Sequence, residues 1–297
     1  MTFSTSVSTS AQDSAYPEGF DYVQGSPHLK HLALKARIDG SLIDEVARTR
    51  MRTGHCRTLE VGAGHGSFTA VLRGAGADVT VTEMSSSSAA RLRTRFDKDP
   101  SVTVVHDGDG SWVFETGSRF DLVVAVSVLH HIPDYLAAVA RYADVTEPGG
   151  SFISWQDPMW YPRQPRAVLA ASRVAYFAWR IRQGNLKRGI ATRMRRLSGT
   201  LDEGNVSDMA EYHVVRKGVD ESALARLLRD RYAETLLIGY WSTQSTTLQR
   251  AGNWLRLRDT FGFVARDRLT NRPSESAGTD YLGKPDRSDS WMAIESA

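Results

Sequence analysis

A glycine-rich turn with a glutamate just before it is the first group of residues in this chain whose types and spacing suggest chemistry. Gly62, Gly64 and Gly66 stand at every second position after an apolar, strand-like stretch. A turn that holds a dinucleotide follows the pattern G-x-G-x-x-G, and here Ser67 stands where the third glycine of that pattern would be. Glu60 precedes the glycines, and a carboxylate there would repel a pyrophosphate but attract an ammonium or sulfonium group. We therefore expect this turn to hold a cationic ligand.

Two further carboxylates follow the next two predicted strands. Glu83 ends the second strand, 17 residues after Gly66, where an acidic side chain accepts hydrogen bonds from ribose hydroxyls. Asp109 ends the third strand, where its carboxylate could accept a hydrogen bond from the exocyclic amine of adenine, and Asp107 is the competing assignment. Carboxylates at three adjacent strand ends suit a positively charged adenosine derivative.

The elements that position these side chains alternate between short apolar strands and helical stretches. The predicted strands cover residues 56–62, 77–84, 102–109, 120–129, 151–157, 234–242 and 261–269. The fourth contains the apolar run LVVAV, as is typical of a strand buried on both faces. This alternation predicts an α/β fold with a Rossmann-like, doubly wound, mostly parallel seven-stranded sheet and a helical cap insertion. Ligands then lie at the carboxyl ends of the strands.

The same pattern divides the chain into five segments. We predict a disordered lead over residues 1–20, N-terminal helices and the ligand-binding core over 21–157, a helical basic cap insertion over 158–217, the remainder of the sheet domain over 218–269, and a flexible tail over 270–297. Within the N-terminal helices, Ser26 is the expected cap and Pro27 the first helical residue.

Composition limits the function classes. The chain has 297 residues, 41% hydrophobic and 24% charged, which is ordinary for a globular protein. It contains no apolar run long enough for a membrane span and no signal-like start. Cys56 is the single cysteine, which fits a reducing cytoplasm. The net charge of +3 is too small to indicate nucleic acid by itself.

Five stretches together resemble the class I S-adenosylmethionine-dependent methyltransferase family, of the small-molecule type. They are LEVGAGHG, VTEM, HDGDGSW, FDLVVAVSVLHHIPD and EPGGSFIS, in family order and at family spacing. The resemblance implies Gly62, Gly64 and Gly66 under the methionine part, Glu83 on the ribose, Asp109 with Gly110 near the adenine, and Val126 and Ser127 behind the sulfonium. Glu60 and Met84 are further candidates for binding the cofactor. Asp109 is favoured over Asp107 because it lies eleven residues before Phe120, the usual distance in the family.

Histidines after the fourth strand are the first candidates for the chemistry. Methyl transfer requires alignment of the nucleophile behind the methyl carbon and a base only if the acceptor holds its proton tightly, a task that suits histidine. His130 and His131 are adjacent, so one of them can face the pocket, and we favour His131. Similar histidine pairs occur in relatives without a histidine base, so a structural role stays open. Asp157 and Tyr212 are the other catalytic candidates.

Six residues are candidates for the walls of an acceptor pocket. They come from the N-terminal segment, the end of the fifth strand, the return from the insertion and the end of the sixth strand: Tyr22, His28, Gln156, His213, Tyr240 and Trp241. Core packing is the competing explanation for the aromatic members.

The insertion has an unusual charge pattern. Residues 158–201 contain no Asp or Glu and ten Lys or Arg, interleaved with aromatic residues. A solvated helix face explains this pattern, and so does an anionic partner such as a nucleotide-sugar, a carrier or an acidic natural product. RNA is disfavoured because no recognisable RNA-binding module accompanies it.

We predict a cytoplasmic methyltransferase that uses S-adenosylmethionine and methylates an oxygen or nitrogen of a small molecule, with carbon left open, in natural product biosynthesis. We expect no metal and no membrane partner, and we leave a homodimer open. The alternatives are an RNA or protein methyltransferase, or a protein of this fold that uses the cofactor for cyclisation. A nicotinamide oxidoreductase is disfavoured by Glu60 and Ser67.

Overall fold

The computed structural model describes residues 25–182, 217–270 and 291–293. One sheet runs through this part of the chain. Its strands are β1 Arg57–Val61, β2 Asp78–Glu83, β3 Val102–His106, β4 Phe120–Val126, β5 Thr146–Pro158, β6 Tyr232–Tyr240, β7 Thr260–Arg268 and β8 Trp291–Ala293. The helices are α1 Pro27–Lys30, α2 Leu32–Thr53, α3 Ser67–Gly74, α4 Ser86–Arg95, α5 Trp112–Glu115, α6 Tyr135–Val145, α7 Arg166–Arg182, α8 Glu221–Arg229 and α9 Thr246–Trp254.

The sheet has the order β3-β2-β1-β4-β5-β7-β6-β8. Strands β1 to β5 are parallel, and β7 runs antiparallel to both of its neighbours. This confirms the predicted Rossmann-like sheet, and β8 extends it by three residues that pair with β6. The order of the strands reverses between β1 and β4, so the crevice outside their carboxyl ends is where such a fold binds its ligand.

Helices cover both faces of the sheet, and β4 is buried along its whole length. On one face, α2, α3 and α4 contribute Ile38, Leu42, Leu72 and Leu92 to a buried cluster with β2, β4 and β5. On the other face, α6 and α8 pack against β4, β5 and β7. Burial of this apolar surface is the main stabilising contribution. No helix in residues 25–182 or 217–270 is both long and apolar enough to cross a membrane.

A buried carboxylate ties α2 to the sheet. Ser151 donates a hydrogen bond from Oγ to Glu45 Oε1 at 2.5 Å, and Arg266 donates from Nε to Glu45 Oε2 at 2.7 Å. Glu45 is fully buried, and a buried charge persists when it is paired and hydrogen-bonded. This network fixes the long helix that follows directly on α1.

The predicted cap begins where β5 ends. Arg163 binds Asp220 and Glu221 with distances of 2.6 and 3.0 Å, which joins the two ends of the insertion. Helix α7 then packs against Trp241 through Val168 and Ala175. The part of the predicted insertion between residues 183 and 216 lies outside the described residues.

Gly66 is required by packing as well as by backbone geometry. Its φ is +76°, in the left-handed region that favours glycine. A Cβ at this position would lie 2.7 Å from Leu92 Cδ2 and 2.7 Å from Phe96 Cε2. The glycine therefore permits the turn after β1 to lie against α4 and the residue that follows it.

We expect Gly66→Ala to lower the free energy of unfolding more than a strained backbone alone would. Left-handed backbone costs ~1–2 kcal/mol for a residue with a Cβ, and overpacking adds ~1–3 kcal/mol. Gly117→Ala is the matched control, because Gly117 has a φ of +68° and a Cβ added to it would meet no atom within 4 Å. Urea unfolding of both variants measures the difference, and equal losses would contradict the packing role.

Candidate active site

The turn after β1 and the loop after β2 meet at the carboxyl edge of the sheet. Gly62, Gly64 and Gly66 have φ angles of +64°, +56° and +76°. The N–H of Gly62 donates to the Thr82 carbonyl at 2.8 Å. The predicted glycine turn thus lies directly beside the end of β2, where Glu83 stands.

Glu83 is held by backbone amides from both loops. The Gly64 N–H donates to Glu83 Oε2 at 2.8 Å, and the Ser85 N–H donates to Oε1 at 2.9 Å. The side chain is 9% exposed. Each carboxylate oxygen has a second lone pair, so the amides fix the group and leave it able to accept hydrogen bonds from a pair of hydroxyls.

Glu60 lies at the floor of a small cavity over the turn. Its Oε2 accepts a hydrogen bond from Thr69 Oγ1 at 2.5 Å, and burial raises the pKa of this carboxyl to about 7. The cavity is lined by His28, Leu29, Glu60, Gly62, Ala63, His65, Ser67, Phe68 and Val126. Its lining includes Glu60, two imidazoles and no Lys or Arg among the described residues, which suits a cationic group.

Two aspartates follow β3 in different environments. Asp107 is buried, and its N–H donates to the Glu83 carbonyl at 3.0 Å. Burial raises the pKa of its carboxyl. Asp109 is exposed, and its Oδ1 accepts a hydrogen bond from the Ser111 N–H at 3.0 Å, which lowers its pKa. The adenine role of Asp109, with Gly110 beside it, stays a prediction, and Asp107 lies nearer to Glu83 in the backbone.

His130 and Asp157 form a buried pair at the ends of β4 and β5. His130 Nδ1 lies 2.8 Å from Asp157 Oδ1, and the His130 backbone N–H donates to the same oxygen at 3.1 Å. Burial lowers the pKa of His130 to about 3 and raises the pKa of Asp157. The rings of His130 and His131 lie 4.0 Å apart. The structure therefore joins Asp157 to His130, whereas the sequence favoured His131.

Several residues assigned to an acceptor pocket are used in packing. The Gln156 N–H donates to the Tyr240 hydroxyl at 2.8 Å, and Gln156 Nε2 donates to Ser242 Oγ at 2.7 Å. Tyr240 is buried against Trp155. Trp241 is buried and donates from Nε1 to the Leu248 carbonyl at 3.1 Å. None of these side chains lines the cavity over the turn.

The remaining predicted residues divide between this edge and the ranges that the structure does not describe. Val126 lines the cavity, and Ser127 follows β4 with a φ of +61°. The Met84 carbonyl lies 3.2 Å from His106 Nε2. Tyr22, Tyr212 and His213 lie outside the described residues. Among the predicted pocket residues that the structure describes, His28 lines the cavity.

Residues 59–154 match the family model of a methyltransferase domain. A stretch of 96 residues is 31% identical to the ubiquinone biosynthesis O-methyltransferases of Aromatoleum aromaticum and Proteus mirabilis. The match covers 32% of this chain and 41% and 39% of those proteins, so the chain spans about two fifths of the curated relatives it matches.

Solved structures with a related fold include the N-methyltransferase NodS from Bradyrhizobium japonicum WM9 in complex with S-adenosyl-L-homocysteine. Its TM-score is 0.47 at 15% identity, covering 89% of this chain and 99% of that chain. A glycopeptide N-methyltransferase, MtfA, complexed with S-adenosyl-L-methionine, has a TM-score of 0.34 at 28% identity, covering 41% and 57%.

Residues 59–154 are therefore similar to a methyltransferase domain, and the sequence resemblance implies S-adenosylmethionine as its cofactor. The residues present fit that cofactor. Glu83 offers acceptors for a pair of hydroxyls, and Glu60 offers a carboxyl to a cationic group. His28 Nδ1 is buried without a hydrogen-bond partner in the described part of the chain, which leaves a polar atom for a ligand to satisfy.

The raised pKa of Glu60 predicts a change of stability with pH. The pKa of Glu60 is about 7 in the folded chain, against an ordinary value of 4.5. The stabilisation that depends on this pKa difference is therefore fully present below about pH 4.5, and it is lost as the pH rises through about 7. Glu60→Gln cannot ionise. We expect its free energy of unfolding, relative to that of the unmodified chain, to rise by about 2–3 kcal/mol between about pH 5 and about pH 8.

Urea unfolding at both pH values measures this difference. Glu115→Gln is the control, because Glu115 is an exposed glutamate, and its variant should follow the unmodified chain at each pH. A constant difference between Glu60→Gln and the unmodified chain would contradict the burial of an ionisable carboxyl at this edge.

Proposed function

We propose that this chain transfers the methyl group of S-adenosylmethionine to an oxygen or nitrogen of a small molecule. The observation that carries the proposal is the buried pair of His130, after β4, and Asp157, near the end of β5. The O-methyltransferase names of the two curated relatives support an oxygen acceptor. A cytoplasmic location, an anionic or carrier-bound acceptor and a role in natural product biosynthesis stay predictions.

Binding of the cofactor falls to the loops after β1 and β2. Glu83, fixed by the amides of Gly64 and Ser85, accepts hydrogen bonds from two ribose hydroxyls. Glu60 faces the cationic methionine part, and its carboxyl, with a pKa of about 7, ionises when a cation approaches. Val126 closes the cavity from β4. When bound, the cofactor would supply a methyl group to an aligned nucleophile, and the thioether S-adenosylhomocysteine would be the leaving group.

Proton removal from the acceptor falls to His130. A neutral imidazole that donates from Nδ1 to a carboxylate has its lone pair at Nε2. Burial keeps His130 neutral in the free chain, since it lowers the pKa of the ring to about 3. Transfer of the acceptor proton to Nε2 therefore depends on Asp157, which stabilises the imidazolium that forms. Asp157 Oδ1 holds the ring through Nδ1 and the backbone N–H, so it fixes the tautomer and the orientation. Alignment and a positioned base are the two contributions that this site offers to methyl transfer.

Labelled methyl transfer tests the function directly. The chain is incubated with methyl-labelled S-adenosylmethionine and a panel of phenols, catechols and amines, with bulk RNA and a protein mixture in parallel. We expect label in a small-molecule product together with an equal amount of S-adenosylhomocysteine. Label in RNA or protein alone would support the macromolecular alternatives, and consumption of the cofactor without any methylated product would support cyclisation chemistry.

We expect Glu83→Ala to weaken S-adenosylmethionine binding by about tenfold or more, because the ribose loses charge-assisted hydrogen bonds. The loss should be as large for 5′-methylthioadenosine, which keeps the ribose and lacks the amino-acid part. Titration calorimetry measures both ligands, and thermal unfolding checks the fold. Glu115→Ala, at an exposed glutamate, is the control, and unchanged affinity in Glu83→Ala would refute the ribose role.

We expect His130→Ala to lower kcat by about a hundredfold or more, as removal of a general base does, with cofactor affinity retained. Asp157→Asn should lower kcat as well, because an amide in place of the carboxyl group allows the ring to take the other tautomer. His131→Ala is the matched control. A full loss of kcat in His131→Ala with activity kept in His130→Ala would return the base to His131.

A further inference from the structure

Helix α1 places an imidazole in the cofactor cavity from outside the methyltransferase domain. His28 is 4% exposed and lines the cavity together with Glu60 and Val126. Its ring stacks on Phe68 at a centroid distance of 5.8 Å and an angle of 23°. Residues 59–154 contain Phe68, Glu60 and Val126, whereas His28 precedes that domain in the chain and is separated from it by the long helix α2.

The position of His28 is fixed by contacts on both sides of it. Pro27 and Leu29 are buried, and Leu29 belongs to the cluster that packs under α2 and α3. His31 Nε2 lies 2.6 Å from the Thr243 carbonyl, after the end of β6. The ring of His28 therefore has little freedom to turn toward solvent.

One atom of this fixed ring finds no hydrogen-bond partner in the described part of the chain. Nδ1 of His28 is buried and makes no hydrogen bond within the described residues. A buried polar atom without a partner is costly, and such an atom in a folded protein calls for a physical reason. Its position in the lining of a ligand cavity supplies that reason, since a ligand could satisfy it.

The chemistry of the lining indicates which ligand group this would be. The lining includes Glu60, His28 and His65, with no Lys or Arg from the described ranges. Burial lowers the pKa of His28 to about 3, so the ring is neutral and Nδ1 can present a lone pair. A neutral acceptor beside a carboxyl suits a cationic N–H donor better than it suits an anion.

We propose that His28 is a cofactor-binding residue whose Nδ1 accepts a hydrogen bond from the α-ammonium group of the methionine part of S-adenosylmethionine. This inference rests on the proposed function, since it takes that cofactor as the ligand. It assigns His28 to cofactor binding, whereas the sequence assigned it to the acceptor pocket. The N-terminal helices are then part of the cofactor site.

Titration calorimetry with two ligands and two variants tests the contact. The ligands are S-adenosylhomocysteine and 5′-S-(3-carboxypropyl)-5′-thioadenosine, which lacks only the α-amino group. His28→Phe keeps the stacking on Phe68 and removes Nδ1, whereas His28→Asn keeps a polar atom near the Nδ1 position. The exposed His55 lies before β1 at the opposite edge of the sheet, and His55→Asn is the control.

We expect His28→Phe to bind S-adenosylhomocysteine about tenfold more weakly, the loss of one hydrogen bond to a charged group. Its affinity for the ligand without the amino group should be unchanged, and His28→Asn should keep most of the affinity for S-adenosylhomocysteine. Equal losses for the two ligands, or no loss for either, would overturn the contact while the proposed function stands. Failure of the unmodified chain to bind S-adenosylhomocysteine would instead overturn the proposed function, and this inference with it.

Discussion

The two amide hydrogen bonds to Glu83 are the constraint on which the rest of the site depends. Gly64 donates from the turn after β1 and Ser85 from the loop after β2, so one carboxylate sets the distance between two loops. A parallel sheet brings both loops to the same edge, and the left-handed glycines let the turn come close enough to donate. The cavity beside this turn is lined by Glu60 from β1 and Val126 from β4.

Burial determines the protonation states of the polar groups at the carboxyl ends of the strands. Glu60, His28 and His130 are buried, and burial moves each of their pKa values toward the neutral form. Buried polar groups of this kind do not favour stability, and they are typical of functional sites. A bound cationic ligand favours the ionised form of Glu60. The neutral ring of His130 can accept a proton from the methyl acceptor.

The sequence predicted the sheet and the cofactor side of the site because both depend on local signals. Strand β4 is apolar from Leu122 to Val126, and Glu83 lies 17 residues after Gly66. The pair of His130 and Asp157 was beyond such signals, because it spans 27 residues and depends on the pairing of β4 with β5. The pairing of β5 with β7 is irregular between Ser154 and Asp157, and Gln156 within this irregularity contacts Tyr240. Such an irregularity is not visible in the sequence. His28 was placed near the site, but its unpartnered Nδ1 could be found only from packing.

Unfolding temperature with and without ligands tests most directly the claim that this edge is built for a cationic adenosine derivative. The chain is heated alone, with S-adenosylmethionine, and with NAD, whose pyrophosphate would lie against Glu60. A ligand that binds the folded chain raises the unfolding temperature. We predict a rise with S-adenosylmethionine and none with NAD. A rise with NAD, or no rise with S-adenosylmethionine, would contradict it.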